Sequence, residues 1–349
     1  MYITELDLHL VEIARTDGAP PVRSVLLRLA EESGVEGWGE AALAWRGAEL
    51  PGRRNALLSI LSGRSVFDTE ELLSLVALRV PGLRAAVETA CWDIVGRLVR
   101  QPIYRLWGGE YRHGAQLAVR LPAGTPERTA EVGWAMAEQG WLTQIIPASG
   151  NLDQDLNTLS ALGARSGQRV QLRLDGRSLY DLQTARDLCS RIESGQFEFL
   201  LDPLCEPELY GVASLARQTS VPLGVWRAIH GPADVLAAIR AGAAAVVVVD
   251  LELVGGPTAV RKCASVAEAG GVRALLGGRA SVGIATAMKL QLAAATPALA
   301  GFCECAYHQL QDDILSVRLA MMDGMLLAPQ GPGLGVTVDR ARLERYAVT

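Results

Sequence analysis

The chain has 349 residues, half of them apolar and a fifth charged, with a formal charge of −5; it has the interior of a globular protein and is long for a single core. No basic block or stripe supplies the attraction that nucleic acid or an anionic membrane requires, and no apolar run reaches the ~20 residues of a bilayer span. With no basic segment ahead of an apolar one at the N-terminus, a cytoplasmic protein is expected, and its six scattered cysteines, including the close pair Cys303 and Cys305, read as reduced packing residues rather than a zinc or redox site.

The N-terminal MYITELDLHLVEI alternates as a strand does, and 25–29 and 37–40 read as further strands joined by the turn-rich 31–36. Over 82–98, Leu83, Ala86, Val87, Ala90, Cys91, Ile94 and Leu98 recur at helical spacing, and Pro102 closes the segment. This is a small α+β lobe, assigned to residues 1–113. From 114 the texture changes. Short β-rich runs at 116–120, 142–147, 170–175, 197–202, 221–227, 245–250, 272–276 and 301–305 alternate with amphipathic runs such as 153–162, 178–192, 233–241, 258–269 and 281–294. Eight such units predict an α/β fold, a (β/α)8 TIM-type barrel over 114–320. The apolar run 246–249 suits a strand buried on both faces.

Barrel chemistry sits where the strands end, which directs attention to Pro147, Asp175, Asp202, Arg227, Asp250, Leu276 and Glu304. Carboxylates converging there are one way to hold a divalent, oxygen-liganded ion. Strand-terminal Asp residues equally cap the next helix or form turns, and both readings stand at this level.

Three segments carry a resemblance: GVEGWGEA (34–41), AVETACWDIVGRLVRQPIYRLWGG (86–109) and DGMLLAPQGPGLGVTVDRARLERY (323–346). They are similar to the mandelate racemase and muconate lactonizing enzyme group of the enolase superfamily. The resemblance implies a capping domain built from the N-terminal region and the C-terminal segment 321–349, a homo-oligomer, and Mg²⁺-assisted abstraction of the proton α to a carboxylate. It also implies a lysine pair on the second strand, where Ile145 and Pro147 stand, and three acidic metal ligands. Asp175 matches the first and Asp202 the second, shorter by one methylene, while Arg227 falls at the third. A guanidinium donates only and stays protonated, so it cannot ligate a cation. Asp250 matches the strand-six aspartate of the racemase branch, Leu276 falls where that branch has its histidine, and Glu304 resembles the strand-eight acid.

These replacements predict that Arg227 takes the metal position and pairs with the surrounding acids, so that Mg²⁺ is in doubt and the standard activity is lacking. The alternative is an active isomerase or lyase (racemase, cycloisomerase or dehydratase type) on a small carboxylate, with Asp250, Glu304 and Arg227 as catalytic groups and Arg279 and His230 binding substrate. His308 is a further candidate base, although loop histidines more often do neither. His9 and His113 fall in the capping region. Gly255-Gly256 reads as a turn, and neither a G-x-S-x-G elbow nor an H-E-x-x-H helix occurs.

Overall fold

The alternating N-terminal segment forms β1 (Ile3–Ile13), which pairs antiparallel with β2 (Val22–Glu31), and β3 (Glu36–Ala41) extends the sheet beyond β2. Four helices follow: α1 (Leu50–Leu61), α2 (Thr69–Ser74), α3 (Pro81–Leu98) and α4 (Ile103–Leu106). A Cβ on Gly37 would stand 2.2 Å from the Ala90 carbonyl oxygen, and one on Gly39 1.9 Å from that of Ala86. Only glycine lets β3 lie this close to α3, which is the physical content of the WGE motif. The computed structural model describes residues 1–166, 169–192, 197–205, 209–278 and 280–348.

The barrel region opens with β4 (Gly114–Gln116) and β5 (Val119–Arg120). It then alternates α5 (Pro126–Glu138), β6 (Thr143–Pro147), α6 (Leu152–Ser166), β7 (Gln171–Asp175), α7 (Leu182–Arg191), β8 (Phe197–Leu201) and α8 (Leu209–Ala216). It continues through β9 (Leu223–Val225), α9 (Pro232–Ala241), β10 (Val246–Asp250), α10 (Pro257–Ala269), β11 (Arg273–Gly277), α11 (Gly283–Ala295) and β12 (Leu299–Phe302). Strands β5 to β12 form one curled sheet in which each pairs in parallel with the next in sequence. Among the described residues no ladder joins β12 back to β5. At this seam Gly301 of β12 lies against β4, with the Gln116 carbonyl oxygen 3.4 Å from where a Cβ would stand.

Alternation along the strands divides the side chains into two sets. Ile145, Phe199, Leu201, Trp226, Val246, Val248, Leu275 and Cys303 fill the inside of the barrel. Leu172, Leu174, Val247, Val249 and Leu276 belong to the larger core between the sheet and its helices. In register with Ile145 and Phe199, buried Arg173 donates from Nη1 to the carbonyl oxygens of Phe302 (2.9 Å) and Cys303 (2.8 Å), and Glu198 pairs with both Arg173 and Arg273. These contacts cross the barrel interior, from β7 to the end of β12 and from β8 to β11.

Among the element boundaries that differ from expectation, the strand expected over 116–120 is divided between β4 and β5, and two others bear on the site. Helix α7 starts at Leu182, with Asp181 accepting the Thr184 N–H at 2.7 Å, rather than at 178. Arg177 and Ser178 adopt φ of +54° and +58°, a left-handed turn that no helix can contain. Strand β12 covers 299–302 rather than 301–305, so Glu304 stands beyond it.

The tail returns to the capping lobe. It adds β13 (Met321–Met322), β14 (Met325–Leu327), which pairs with β4, and α12 (Arg340–Tyr346), after which the Val348 N–H donates to Leu10 O at 2.9 Å. Asp93 of α3 accepts N–H groups from Trp38 (3.1 Å) and Leu334 (2.8 Å), tying sheet, helix and tail together. All six cysteines are free thiols. Among the described residues no helix is long and apolar enough to cross a membrane.

Among the contacts that join capping lobe and barrel are two buried carboxylates: Glu88 of α3, which accepts the Thr258 N–H of α10 at 3.0 Å, and Glu40. Glu40 of β3 accepts the N–H groups of Val282 (2.7 Å) and Ala285 (2.8 Å) at the start of α11, and the Ser24 hydroxyl at 2.8 Å. It thereby satisfies helix-terminal donors that have no partner within the helix. Burial pushes its pKa up to about 7 against the opposing effect of those N–H groups. A folded value above the unfolded one means that the associated stability is complete below pH 4.5 and is lost as pH rises through 7. Urea unfolding should show wild type losing up to roughly 3 kcal/mol between pH 5 and 8, while Glu40→Gln is less stable at pH 5 and lacks that slope.

Candidate functional site

The ends of the parallel strands bring five charged side chains to the barrel mouth. Asp175 is the last residue of β7 and faces inward in register with Arg173. Asp202 follows β8, whose Leu201 already faces inward, so an extended residue 202 would turn its side chain outward. A φ of +40° redirects it, and its carboxylate accepts the N–H groups of Trp226 (2.9 Å) and Arg227 (3.1 Å). An aspartate held in this sparsely populated region is local strain of the kind found at functional sites.

Arg227 spans the two acids. Its Nη1 lies 2.7 Å from Asp202 Oδ2 and 3.3 Å from Asp175 Oδ1, and its Nη2 lies 3.5 Å from Asp175 Oδ2. The guanidinium also lies over the Trp226 ring, 5.4 Å from its centroid. Arg120, the last residue of β5, is the second cation: Nη2 donates to Asp175 Oδ2 at 2.8 Å and Nε to Glu304 Oε2 at 2.7 Å. This second pair reaches across the β5–β12 seam.

Burial opposes ionisation of Asp175, but Arg120 and Arg227 beside it hold its carboxyl below the usual range. For Asp202 and Glu304 burial wins and the pKa stands above the usual value, although N–H donors and arginines oppose it. Both arginines are held above the ordinary guanidinium range; burial disfavours their charge, and the surrounding carboxylates more than restore it. The Asp175 side chain is 2% exposed, whereas those of Arg120 and Arg227 are 30% and 40% exposed. An approaching molecule therefore meets guanidinium edges before it meets acids.

This donor set does not fit a Mg²⁺ ion, which requires near-octahedral oxygen ligands. Arg227 nitrogens stand between the two acids that would ligate it, and among the described residues no three His, Cys, Asp or Glu side chains are grouped to hold a metal. Ile145 faces the barrel interior and Pro147 ends β6, so the second strand presents no proton-transfer group in this register.

The remaining expected residues are placed unequally. Glu304 joins the cluster through Arg120. Asp250, at the inward end of β10, accepts the N–H groups of Glu252 (2.9 Å) and Leu253 (3.3 Å) from Oδ1, which is the turn-forming role. His230 is corrected: its side chain is 61% exposed and lies near Asp234, with no contact to the acids or arginines of the mouth. His308 is corrected too, since its ring packs on Trp141 at 4.3 Å between centroids and burial pushes its pKa down to about 4. Leu276 points outward, and the inward residue at the end of β11 is Gly277. Arg279 lies outside the described residues. Two residues escaped the sequence reading. Arg120 is findable, because the strand-end rule applied to the first barrel strand selects it. Lys289, inside α11 and 6% exposed, has no sequence signal beyond a lone cation in an apolar helix.

Comparison with known proteins gives a consistent picture. The family described as "Mandelate racemase / muconate lactonizing enzyme, N-terminal domain" matches residues 8–108, and "Enolase C-terminal domain-like" matches 128–342. The chain is 26% identical to a chloromuconate cycloisomerase of Cupriavidus pinatubonensis, over 99% of this chain and 96% of the relative. It is 24% identical to the L-Ala-D/L-Glu epimerase of Bacillus subtilis, over 90% and 88%. Among solved structures, an isomerase from Streptomyces coelicolor superposes with a TM-score of 0.88 at 27% identity, over 99% of this chain and 98% of the other. Muconate lactonizing enzyme from Pseudomonas putida superposes with a TM-score of 0.90 at 23% identity, over the whole of both chains, a likeness of fold.

Removing Arg120 leaves Asp175 with one cation and Glu304 with none, and uncompensated buried charge is costly. Arg120→Met should lower the unfolding free energy by about 2–4 kcal/mol in urea titrations. Adding Glu304→Gln to it should return at least about 1 kcal/mol, a coupling that a double-mutant cycle reads directly.

Proposed function

The chain belongs to the mandelate racemase and muconate lactonizing enzyme group of the enolase superfamily, and we propose that it does not run the metal-assisted proton abstraction of that group but binds a small carboxylate at its barrel mouth without a metal. The observation that carries this reading is Arg227 seated between Asp175 and Asp202. Abstraction of an α-proton needs a base and a charge that stabilises the enediolate. A guanidinium already shared by two carboxylates is a weak substitute for a divalent ion, and the second strand offers no base.

Binding is a different matter. Among the described residues, Arg120 Nη1 and Arg227 Nε donate to nothing. Each guanidinium has five N–H groups, so both keep donors for an incoming carboxylate. The acids are already answered: Asp202 by two backbone N–H groups and Arg227, Asp175 by both arginines, Glu304 by Arg120. An active isomerase or lyase with an altered site is the less supported alternative, since His230 and His308 both make their contacts elsewhere.

Calorimetric titration of chelator-stripped protein with Mg²⁺ and Mn²⁺ is the test. Wild type should give no binding heat, and Arg227→Glu, which restores a third acid, should bind ion. With chelator present, wild type should still bind propionate, and Arg227→Met should weaken that binding at least about tenfold, equivalent to ~1.4 kcal/mol. Tight ion binding by wild type, or deuterium wash-in at the α-carbon of carboxylates in heavy water, would overturn the reading.

A further inference from the structure

Helix α11 carries a lysine that neither the fold nor the arginine cluster uses. Side chains on a helix lean towards its N-terminus, so Lys289 runs back along α11 to the end of β11. A Cβ added to Gly278, which follows β11 with φ +147°, would stand 2.5 Å from Lys289 Nζ and 3.9 Å from Asp250 Oδ1. The ammonium thus sits at the ends of β10 and β11, on the mouth side of the barrel. β11 is four strands from β7 in the eight-strand order, across the barrel from Asp175.

This ammonium is underpartnered. The residue is 6% exposed, and among the described residues its one hydrogen bond is to Ser281 Oγ at 3.3 Å. An ammonium has three N–H donors, and a buried charge is retained only when it is paired or hydrogen-bonded. Asp250 does not form an ion pair with it and directs Oδ1 to the backbone N–H groups of Glu252 and Leu253. The wall beside it has a second idle donor: Trp226 Nε1 is buried without a partner and lies 3.3 Å from where a Cβ on Gly277 would stand. Two successive glycines therefore leave the end of β11 without side chains beside an ammonium with one hydrogen bond and an indole N–H with none. Burial pushes the Cys305 thiol up and the Lys289 charge opposes it, so the ammonium's field reaches the segment after β12 as well.

We propose that Lys289 Nζ binds a second anionic group, a carboxylate or a phosphate, on the same small ligand whose first carboxylate is held by Arg120 and Arg227. This rests on the reading of the mouth as a carboxylate site and adds to it the class of ligand: a small, doubly anionic molecule that crosses the mouth of an eight-stranded barrel. Gly278 is part of the device, since any side chain there would displace the ammonium.

Isothermal titration in chelator-containing buffer compares propionate, the dicarboxylates from malonate to adipate, and phosphonoacetate. The best dianion should bind wild type at least about tenfold more tightly than propionate, and the preferred probe tells whether the second group is carboxylate or phosphate-like. Lys289→Met should bring that ratio close to one while leaving propionate affinity unchanged, and Lys289→Gln, which keeps a donor, should fall between. Thermal melts of both variants establish that each is folded, and if the methionine variant fails to fold the glutamine variant carries the test. A wild-type ratio near one, or a ratio unchanged in a folded Lys289 variant, overturns the proposal while the carboxylate site stands. Failure of propionate itself to bind overturns both.

Discussion

Two aspartates removed from water at the ends of neighbouring strands set the terms for everything at this barrel mouth. Asp175 and Asp202 are nearly inaccessible, and carboxylates so placed require a cation or must give up their charge. A divalent ion is one solution. Here the cation is part of the chain: Arg227, two residues beyond β9, reaches both acids. Together with Arg120 it holds the Asp175 carboxyl below the usual range despite burial. Arg120 shares Asp175 Oδ2 with Arg227 and reaches over the seam to Glu304. The arrangement is continuous from β5 through β7, β8 and β9 to the segment after β12, so the electrostatics of the mouth and the closure of the sheet are one problem with one solution.

The capping lobe enters the same network from outside. Glu40 and Asp313 supply acceptors to the start of α11, Glu40 to Val282 and Ala285 and Asp313 to Gly283 at 3.1 Å, while Tyr307 donates its hydroxyl to Asp313 at 2.6 Å. A helix start fixed from two directions cannot slide along its axis without leaving backbone donors buried and unpaired. Lys289 lies on that helix, so the position of its ammonium beside Gly278 is set by contacts between the capping lobe, the barrel and the tail. Packing of the two lobes and placement of a mouth cation are thereby coupled through a single element.

Much of this was legible in the sequence because it follows from period and from strand ends. The apolar run 246–249 and the alternation around Asp175 fix which side chains face inward, and the run of eight β-rich segments gives the barrel. Arg227 beside two acids follows from the resemblance, which puts it where a third acidic ligand would stand, and from the charge balance that then results. What was missed has physical causes. Leu276 falls where the resemblance has a histidine, but a register shift of one reverses every side chain, and only the packing of Leu275 inside the barrel fixes Leu276 as outward. Arg120 and Glu304 meet across a seam that joins the first and last barrel strands, a contact 184 residues apart in sequence. His308 packs on Trp141, a contact distant in sequence that no local pattern announces, whereas His230 meets Asp234 locally at the start of α9.

Replacing an ion by a guanidinium changes the kind of work the mouth does. A divalent ion concentrates charge at a point, polarises the oxygen bound to it and can be removed, so it serves catalysis and exchanges with solvent. A guanidinium spreads one charge over a plane, presents donors at fixed angles and cannot leave. Its strength is recognition of a planar carboxylate; its weakness is stabilisation of charge that develops during a reaction, because donors shared with Asp175 and Asp202 are already committed. Specificity in such a site has to come from geometry rather than from a Lewis acid. In the proposed site that geometry would come from the exposed edges of Arg120 and Arg227 on one side and the ammonium of Lys289 on the other.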